Sequence, residues 1–205
     1  MRTAITLALT AGLFTTAAAA SPSPKTSEPA PAFTLTDTAG NSHALADFKG
    51  KVVVLEWLNH GCPFVRKHYD SGNMQKLQKD ATGKGVVWLS IVSSAPGKQG
   101  HYPAGKQGEV AKAKGSNATA VLLDEPGKVG RLYGARTTPH LFVIDGKGVL
   151  QYAGAIDSIP STDPEDIAKA EPYAAQAIDA VLAGTTPKTQ ATKSYGCSVK
   201  YGDNT

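Results

Sequence analysis

The sequence has few cysteines and little excess charge: its 205 residues include two cysteines, and 21 lysines and arginines stand against 17 aspartates and glutamates. Two cysteines cannot build the framework of a small disulfide-stabilised protein. The basic residues are dispersed along the chain, which disfavours a cationic nucleic-acid-binding protein. Because 41% of the residues are hydrophobic, the chain can bury a core, and its length favours one domain.

Long apolar runs are also missing. The most apolar stretch near the start, residues 4–14, follows Arg2 and precedes the alanine run 17–20, which offers a small-residue cleavage pattern. This arrangement is typical of a cleavable signal peptide over residues 1–20, followed by a Pro/Ser-rich linker over 21–31. A membrane span needs ~20 apolar residues, which no segment supplies. We therefore expect a periplasmic or secreted protein without membrane insertion.

The remainder alternates apolar β-branched runs with helical stretches, the pattern of a three-layer α/β domain. We expect this domain to occupy residues 32–183 and a flexible tail to occupy residues 184–205. Gly72 is expected to kink the helix that follows residue 62. Strands are predicted at 33–37 and 42–45 (a hairpin), 51–58, 85–92, 119–124, 140–145 and 149–154, and further helices at 109–114, 129–133 and 171–182.

One segment has the composition of a reactive thiol site. The apolar strand 51–58 leads to Cys62, and Pro63 opens the next helix, where its missing N–H would be unpaired in any case. Backbone N–H groups and the positive helix end stabilise a thiolate there, which lowers a cysteine pKa from ~8.5 to between roughly 3.5 and 7.5. Arg66 and Lys67 are expected to form a solvated face that favours the thiolate.

A carboxylate interrupts the same apolar strand. Glu56 lies six residues before Cys62. If it is buried, its pKa is raised, and it could take or return the thiol proton. The alternative is that Glu56 lies at a solvated strand end or pairs with a lysine.

A proline precedes another predicted strand. Thr138-Pro139 stands directly before the strand 140–145, where a proline makes a rigid turn that can be cis. His140 follows, and it either approaches Cys62 or is an ordinary surface or hydrogen-bonded histidine.

Taken together, a strand ending in Trp57, then Cys62-Pro63 opening a helix, then Thr138-Pro139 before a strand and hairpin, resembles the thioredoxin fold. The segments APAFTL and DFKGK near the start of the domain are similar to the redoxin branch. That branch includes alkyl hydroperoxide reductase/thiol-specific antioxidant proteins and exported thiol–disulfide reductases. The stretch EWLNHGCPFVRKHYDSGNMQKLQ resembles a peroxiredoxin-like subgroup. The resemblance covers about residues 30–183 and implies a central mixed sheet with an N-terminal β-hairpin extension.

The resemblance also implies roles for individual residues. Cys62 stands at the first cysteine of the family's C-x-x-C motif, and Pro139 stands at the cis-proline that faces it. Catalytic roles are accordingly expected for Cys62, Pro139, Glu56 and Cys197. Substrate contacts are expected from Thr138, His140, Asn59 and Pro63.

The sequence departs from both the C-x-x-C motif of thiol–disulfide exchange and the active-site motif of peroxiredoxins. Val65 replaces the second cysteine of C-x-x-C, so no adjacent resolving thiol exists. The peroxiredoxin pattern P-x-x-x-T-x-x-C requires proline and threonine where this chain has Leu55 and Asn59. The peroxide-activating threonine is therefore missing.

Cys197 leaves three completions open. It resolves a mixed disulfide or sulfenic acid formed at Cys62, or the two cysteines form a purely structural disulfide worth ~4–5 kcal/mol. In the third, Cys62 works alone and an outside thiol regenerates it.

The function expected from these residues is an exported thiol-dependent oxidoreductase, either a thiol–disulfide exchanger or a peroxiredoxin-like antioxidant. Its partners are a protein or small-molecule disulfide or a peroxide, with an external thiol as reductant. No cofactor, metal or nucleic acid is expected. The alternatives are a non-catalytic binding module and a Cu(I) site formed by Cys62, Cys197 and either His68 or His140, since soft thiolates favour Cu(I).

Overall fold

The computed structural model describes residues 23–203, so the predicted signal peptide 1–20 lies outside the described residues. Strands and helices alternate along this part of the chain. In chain order they are β1 (Thr34–Asp37), β2 (Ser42–Ala44), β3 (Val53–Trp57), α1 (Pro63–Asp70), α2 (Asn73–Gly83), β4 (Val87–Val92), α3 (Ala104–Ala113), β5 (Ala120–Leu123), α4 (Lys128–Leu132), β6 (Thr137–Thr138), β7 (His140–Ile144), β8 (Leu150–Gly154), α5 (Tyr173–Leu182) and β9 (Cys197–Ser198).

Seven strands form one mixed sheet in the order β2-β1-β5-β4-β3-β7-β8. The three central strands β3, β4 and β5 are parallel, whereas β1 and β7 pair antiparallel with their neighbours. The hairpin β1–β2 extends the sheet at one edge, and β7–β8 closes the other. The predicted thioredoxin-like α/β fold with a mixed sheet and an N-terminal hairpin is thereby confirmed.

The sheet is buried on both faces, which explains the continuous apolar runs of its central strands. On one face Val54 packs with residues of α1, α2 and α5, and on the other Val53 and Leu55 pack with Val129 of α4. Successive side chains of a strand point to opposite faces. Odd- and even-numbered residues of a strand therefore belong to different clusters.

Two helices differ from the prediction. The helix after residue 62 is broken rather than kinked: α1 ends at Asp70, and Gly72, with φ +76°, turns the chain into α2. α3 begins at Ala104, five residues before the predicted start. Within residues 23–203, no helix has the length and apolar character that a bilayer crossing requires.

The C-terminal segment differs most from its prediction as a flexible tail. Residues 190–203 lie along the domain and exchange backbone hydrogen bonds with it. Ala153 N donates to Gln190 O over 3.0 Å, and Val199 N donates to Arg136 O over 3.0 Å. Tyr195, Cys197, Val199 and Tyr201 recur at every second position, which is the period of a strand. The sequence therefore held a short signal for this docking, which the expectation of a flexible tail missed.

Candidate active site

Cys62 lies where a loop from β3 enters α1. It precedes Pro63, the first residue of the helix, and its backbone N–H donates to Asn59 O over 2.9 Å. The side chain is fully buried, at 0% exposure. Its Sγ lies 3.1 Å from the carbonyl oxygen of Thr138, and the Thr138–Pro139 peptide bond is cis. The structure therefore brings together the three residues Cys62, Thr138 and Pro139.

The C-terminal segment places Cys197 next to Cys62. β9 pairs antiparallel with β6, with Cys197 opposite Thr138. Both cysteines are free thiols, and their side chains are within hydrogen-bonding reach of each other. Gly196, with φ +126°, makes the approach possible, since a Cβ there would lie 2.1 Å from the carbonyl oxygen of Thr138.

The two thiols differ in acidity. Burial opposes ionisation of Cys62, but hydrogen bonds from the Cys197 thiol and from the backbone N–H groups of Val65 and Cys197 outweigh it, so the pKa of Cys62 is lowered. Burial and the neighbouring Cys62 raise the pKa of Cys197 to about 11. Cys62 is therefore the more acidic thiol of the pair.

Asn59 shapes the loop before Cys62. It is 2% exposed. Its Oδ1 accepts from Gly61 N at 2.8 Å, and its Nδ2 donates to Gln99 O at 3.0 Å. Both ends of the amide are thus used inside the protein, and the expected substrate contact from Asn59 stays a prediction.

His140 lies on the wrong face of the sheet to approach Cys62. It pairs with Trp57, and its ring centroid is 4.5 Å from that of Phe142, in the cluster opposite the one that contains Cys62. There it lines a surface cavity of about 390 Å³. Burial lowers the pKa of His140 to about 4. Because alternate residues of a strand point to opposite faces, the side chain of His140 points away from Cys62. The expected approach of His140 to Cys62 is therefore wrong.

Glu56 is fully buried on the same face as Cys62, so the solvated alternative does not hold. Its Oε2 accepts from Trp88 Nε1 at 2.8 Å, Ser90 Oγ at 2.9 Å and Gln78 Nε2 at 3.1 Å. The hydroxyl of Tyr69 donates to Oε1 at 3.1 Å. Burial outweighs these four donors, and the pKa of Glu56 is raised. Among the described residues, no hydrogen bond joins it directly to Cys62.

A buried charge cluster beneath α1 was missed by the sequence analysis. Lys67, expected on a solvated face, is 3% exposed, and its Nζ lies 3.6 Å from Asp157 and 3.2 Å from the carbonyl oxygen of Ile159. His68 Nε2 lies 3.8 Å from the same carboxylate. Asp157 follows β8 as an isolated acidic residue, which gave no signal in the sequence.

Tyr195 connects this cluster to the tail. Its hydroxyl hydrogen-bonds to Asp157 and lies 3.5 Å from His68 Nε2. Its ring packs edge-on against Phe64 at 5.8 Å between centroids. Tyr195 precedes Cys197 by two residues, so the cluster anchors the tail beside the thiol pair.

The surface along α1, from Pro63 to Ser71, contains a shallow cavity of about 380 Å³. Pro63 and Arg66 are exposed on its rim. Thr138, in contrast, is 2% exposed, and its Oγ1 has no hydrogen-bond partner within residues 23–203. Of the four expected substrate contacts, only Pro63 therefore lies on an open surface.

The expected Cu(I) site of two cysteines and one histidine is not assembled among the described residues. His140 points to the opposite face, and His68 Nε2 faces Asp157 and Tyr195. In the part of the chain that the structure describes, no three His, Cys, Asp or Glu side chains converge as metal ligands. The structure brings together the thiols of Cys62 and Cys197 without a histidine.

Comparison with known proteins agrees with this geometry. A family model described as Redoxin matches residues 25–171. A hypothetical protein from Sinorhizobium meliloti is similar in structure, with 26% identity and a TM-score of 0.73 over 89% of this chain and 98% of that chain. An uncharacterised conserved protein from Geobacillus kaustophilus has 27% identity and a TM-score of 0.72 over 88% and 94%.

A third similar structure has a described activity. It is a proposed thiol:disulfide interchange protein, DsbE, from Chlorobium tepidum, with 25% identity and a TM-score of 0.51 over 64% of this chain and 85% of that chain. No curated protein matches the sequence.

Proposed function

Since the chain belongs to the redoxin family, we propose that it is an exported thiol-dependent oxidoreductase in which Cys62 is the nucleophile and Cys197 the resolving cysteine. The observation that carries the proposal is the antiparallel pairing of Cys197 with Thr138, beside the carbonyl oxygen that Cys62 contacts. A purely structural disulfide would not require the different acidities of the two thiols.

The reaction proceeds in two exchanges. The Cys62 thiolate attacks one sulfur of a substrate disulfide, forms a mixed disulfide and releases the other sulfur as a thiolate. Cys197, once deprotonated, then attacks the Cys62 sulfur and expels the second substrate thiolate, leaving a Cys62–Cys197 disulfide. An external thiol reductant restores the reduced protein. Because Cys62 is covered in the docked form, residues 194–199 lift from β6 before the first exchange. In the lifted form the Cys197 donors are withdrawn, and the backbone N–H of Val65 remains to stabilise the Cys62 thiolate.

Disulfides suit this site better than peroxides. In a peroxiredoxin-like reaction, the thiolate would need a hydroxyl that activates the peroxide at the position of Asn59. The Asn59 amide is committed to Gly61 and Gln99. The similar thiol:disulfide interchange protein supports the same choice. Peroxide reduction through a Cys62 sulfenic acid, with Cys197 condensing to release water, remains the second candidate.

Glu56 is proposed as the proton store for this reaction. Its raised pKa lets it hold a proton in the interior. Its donor Tyr69 packs edge-on against His60 at 4.8 Å between centroids, in the loop that leads to Cys62. Tyr69 therefore lies between the carboxyl group and that loop.

The test compares three variants in assays with oxidised glutathione and with hydrogen peroxide. Cys62→Ser is expected to abolish both activities, and Cys197→Ser to accumulate a mixed disulfide on Cys62 that mass spectrometry detects. Ser198→Ala, on the same strand as Cys197, is the matched control and retains turnover. Full turnover by Cys62→Ser with both oxidants would refute the proposal, and inactivity of all proteins with intact folds would indicate the binding-module alternative.

A further inference from the structure

The two sulfur atoms of the pair are unequally accessible. Cys62 is 0% exposed and belongs to the buried cluster under α1 and α5. Cys197 is partly exposed, on a strand of two residues at the protein surface. In proteins of this fold class the helix-terminal cysteine would be expected to meet the partner, but here the tail strand lies over it.

Contacts on both sides of Cys197 hold that strand in place. Before it, Tyr195 hydrogen-bonds to Asp157. After it, Val199 N donates to Arg136 O at 3.0 Å, and Ala95 N donates to Lys200 O at 2.8 Å. In the reduced protein the strand is held by noncovalent contacts such as these, so it can lift. In the oxidised protein the Cys62–Cys197 bond adds a covalent tether, and the strand stays over Cys62.

We propose that external thiols reduce the oxidised protein by attacking Cys197, with Cys62 as the leaving group. The inference rests on the proposed function, because it requires the Cys62–Cys197 disulfide. The incoming thiolate bonds to the Cys197 sulfur as the S–S bond breaks, and its electron pair leaves on Cys62 as a thiolate. A second thiol then attacks the mixed disulfide, takes up the partner as a new disulfide and leaves Cys197 reduced.

The chemistry of exchange favours the same sulfur. Attack on a disulfide depends on access to the attacked sulfur and is faster when the departing thiol is the more acidic one. Cys197 is the accessible sulfur. When Cys62 departs, the Cys197 thiol no longer has a hydrogen to donate, but the backbone N–H groups of Val65 and Cys197 still stabilise the Cys62 anion. The two half-reactions therefore use different sulfurs: substrate is attacked by Cys62, and reductant attacks Cys197.

The experiment maps the first adduct on the wild-type protein after removal of any signal peptide. The oxidised protein is mixed with 2-mercaptoethanesulfonate, quenched with acid at times from milliseconds to seconds, alkylated with N-ethylmaleimide and analysed by peptide mass spectrometry. Extrapolation to zero time removes later transfer between the cysteines. The adduct is expected on Cys197, with alkylated Cys62, in about tenfold excess over the reverse product.

Two other outcomes are distinguishable. Zero-time adduct mainly on Cys62, or equally on both cysteines, overturns the inference and leaves the proposed function intact. Absence of a Cys62–Cys197 disulfide in the oxidised protein overturns the proposed function itself. Gly196→Ala, whose Cβ would lie 2.1 Å from Thr138 O, should displace the strand and reduce the Cys197 preference. Gly105→Ala is the control, because nothing lies within 4 Å of its added Cβ.

Discussion

Replacing Tyr195 with phenylalanine tests whether the Tyr195 hydroxyl holds the C-terminal segment in its docked position over Cys62. The substitution removes only the hydroxyl that hydrogen-bonds to the buried Asp157 carboxylate, and it keeps the ring that packs against Phe64. Lys67 Nζ and His68 Nε2 remain 3.6 and 3.8 Å from Asp157, so the carboxylate keeps polar neighbours. The expected effect is therefore on tail docking more than on the domain.

The size of the effect follows from the kind of bond lost. A hydrogen bond to a charged group contributes about 1.5–3 kcal/mol. Tyr195 is partly exposed, which favours the lower end of that range. Because 1.4 kcal/mol corresponds to a factor of ten, the docked population should fall about tenfold relative to the lifted one.

The assay is the equilibrium between the protein and a glutathione redox buffer. The equilibrium constant for forming the Cys62–Cys197 disulfide should fall about tenfold in Tyr195→Phe. In a Cys197→Ser background, where no disulfide can form, the alkylation rate of Cys62 should rise by a similar factor. A merely structural loss of stability in the domain would not produce both changes.

Tyr201→Phe is the matched control. It removes a hydroxyl from the same tail, but that hydroxyl donates to a neutral backbone acceptor, Ala135 O, at 2.7 Å. Such a bond contributes about 1 kcal/mol, and it lies beyond Cys197. Unchanged disulfide equilibrium in Tyr195→Phe, or an equal change in Tyr201→Phe, would refute the reasoning.

Three further predictions concern the interior and the surface charge. Burial lowers the pKa of His60, His68 and His140 to about 4. Between pH 6.5 and 4 these three histidines are therefore protonated in the unfolded chain but neutral in the folded protein. The raised pKa of Glu56 acts in the opposite direction, but three histidines outnumber it. The unfolding free energy in urea should therefore fall as the pH decreases from 6.5 to 4, by about 1.4 kcal/mol per pH unit for each histidine less the opposing contribution of Glu56; a flat profile would contradict the histidine burial. At a pH where Glu56 is ionised, Glu56→Gln places an amide N–H among hydrogen-bond donors and should reduce the unfolding free energy by about 1–3 kcal/mol, whereas unchanged stability there would contradict the four-donor arrangement. Lys200, whose charge lowers the pKa of Cys197, should make 2-mercaptoethanesulfonate a faster reductant than the cationic cysteamine, and Lys200→Gln should narrow that difference; equal rates in the wild type would exclude electrostatic selection.

Local sequence was sufficient to predict the position of Cys62 and its setting. The run from Lys51 to Leu58 predicts a strand buried on both faces, and Cys62-Pro63 after it predicts a cysteine at a helix start. Both inferences depend on neighbouring residues alone. Glu56 was also identified locally, because a carboxylate in an apolar strand is conspicuous.

The remainder depended on contacts distant in sequence. His140 was misplaced because a strand residue changes face with a shift of one position, and the sequence alone does not fix which face holds Cys62. Asp157 and Tyr195 are single residues in unremarkable segments, and their meeting joins chain positions 38 residues apart. Their partnership is a product of tertiary packing, for which composition and periodicity have no signal.

The body of the domain has glycines at positions where the C-terminal segment packs closely against it. Gly127 and Gly130 lie against the ring and hydroxyl of Tyr201, where an added Cβ would come within 2.4 Å. Gly154 faces Thr192, whose hydroxyl would lie 2.1 Å from a Cβ there. In an alignment of relatives, these glycines should therefore be kept by chains with a comparable C-terminal segment and replaced by larger residues in chains without one. Three positions in the body would then identify relatives whose C-terminal segment covers the cysteine at the start of α1.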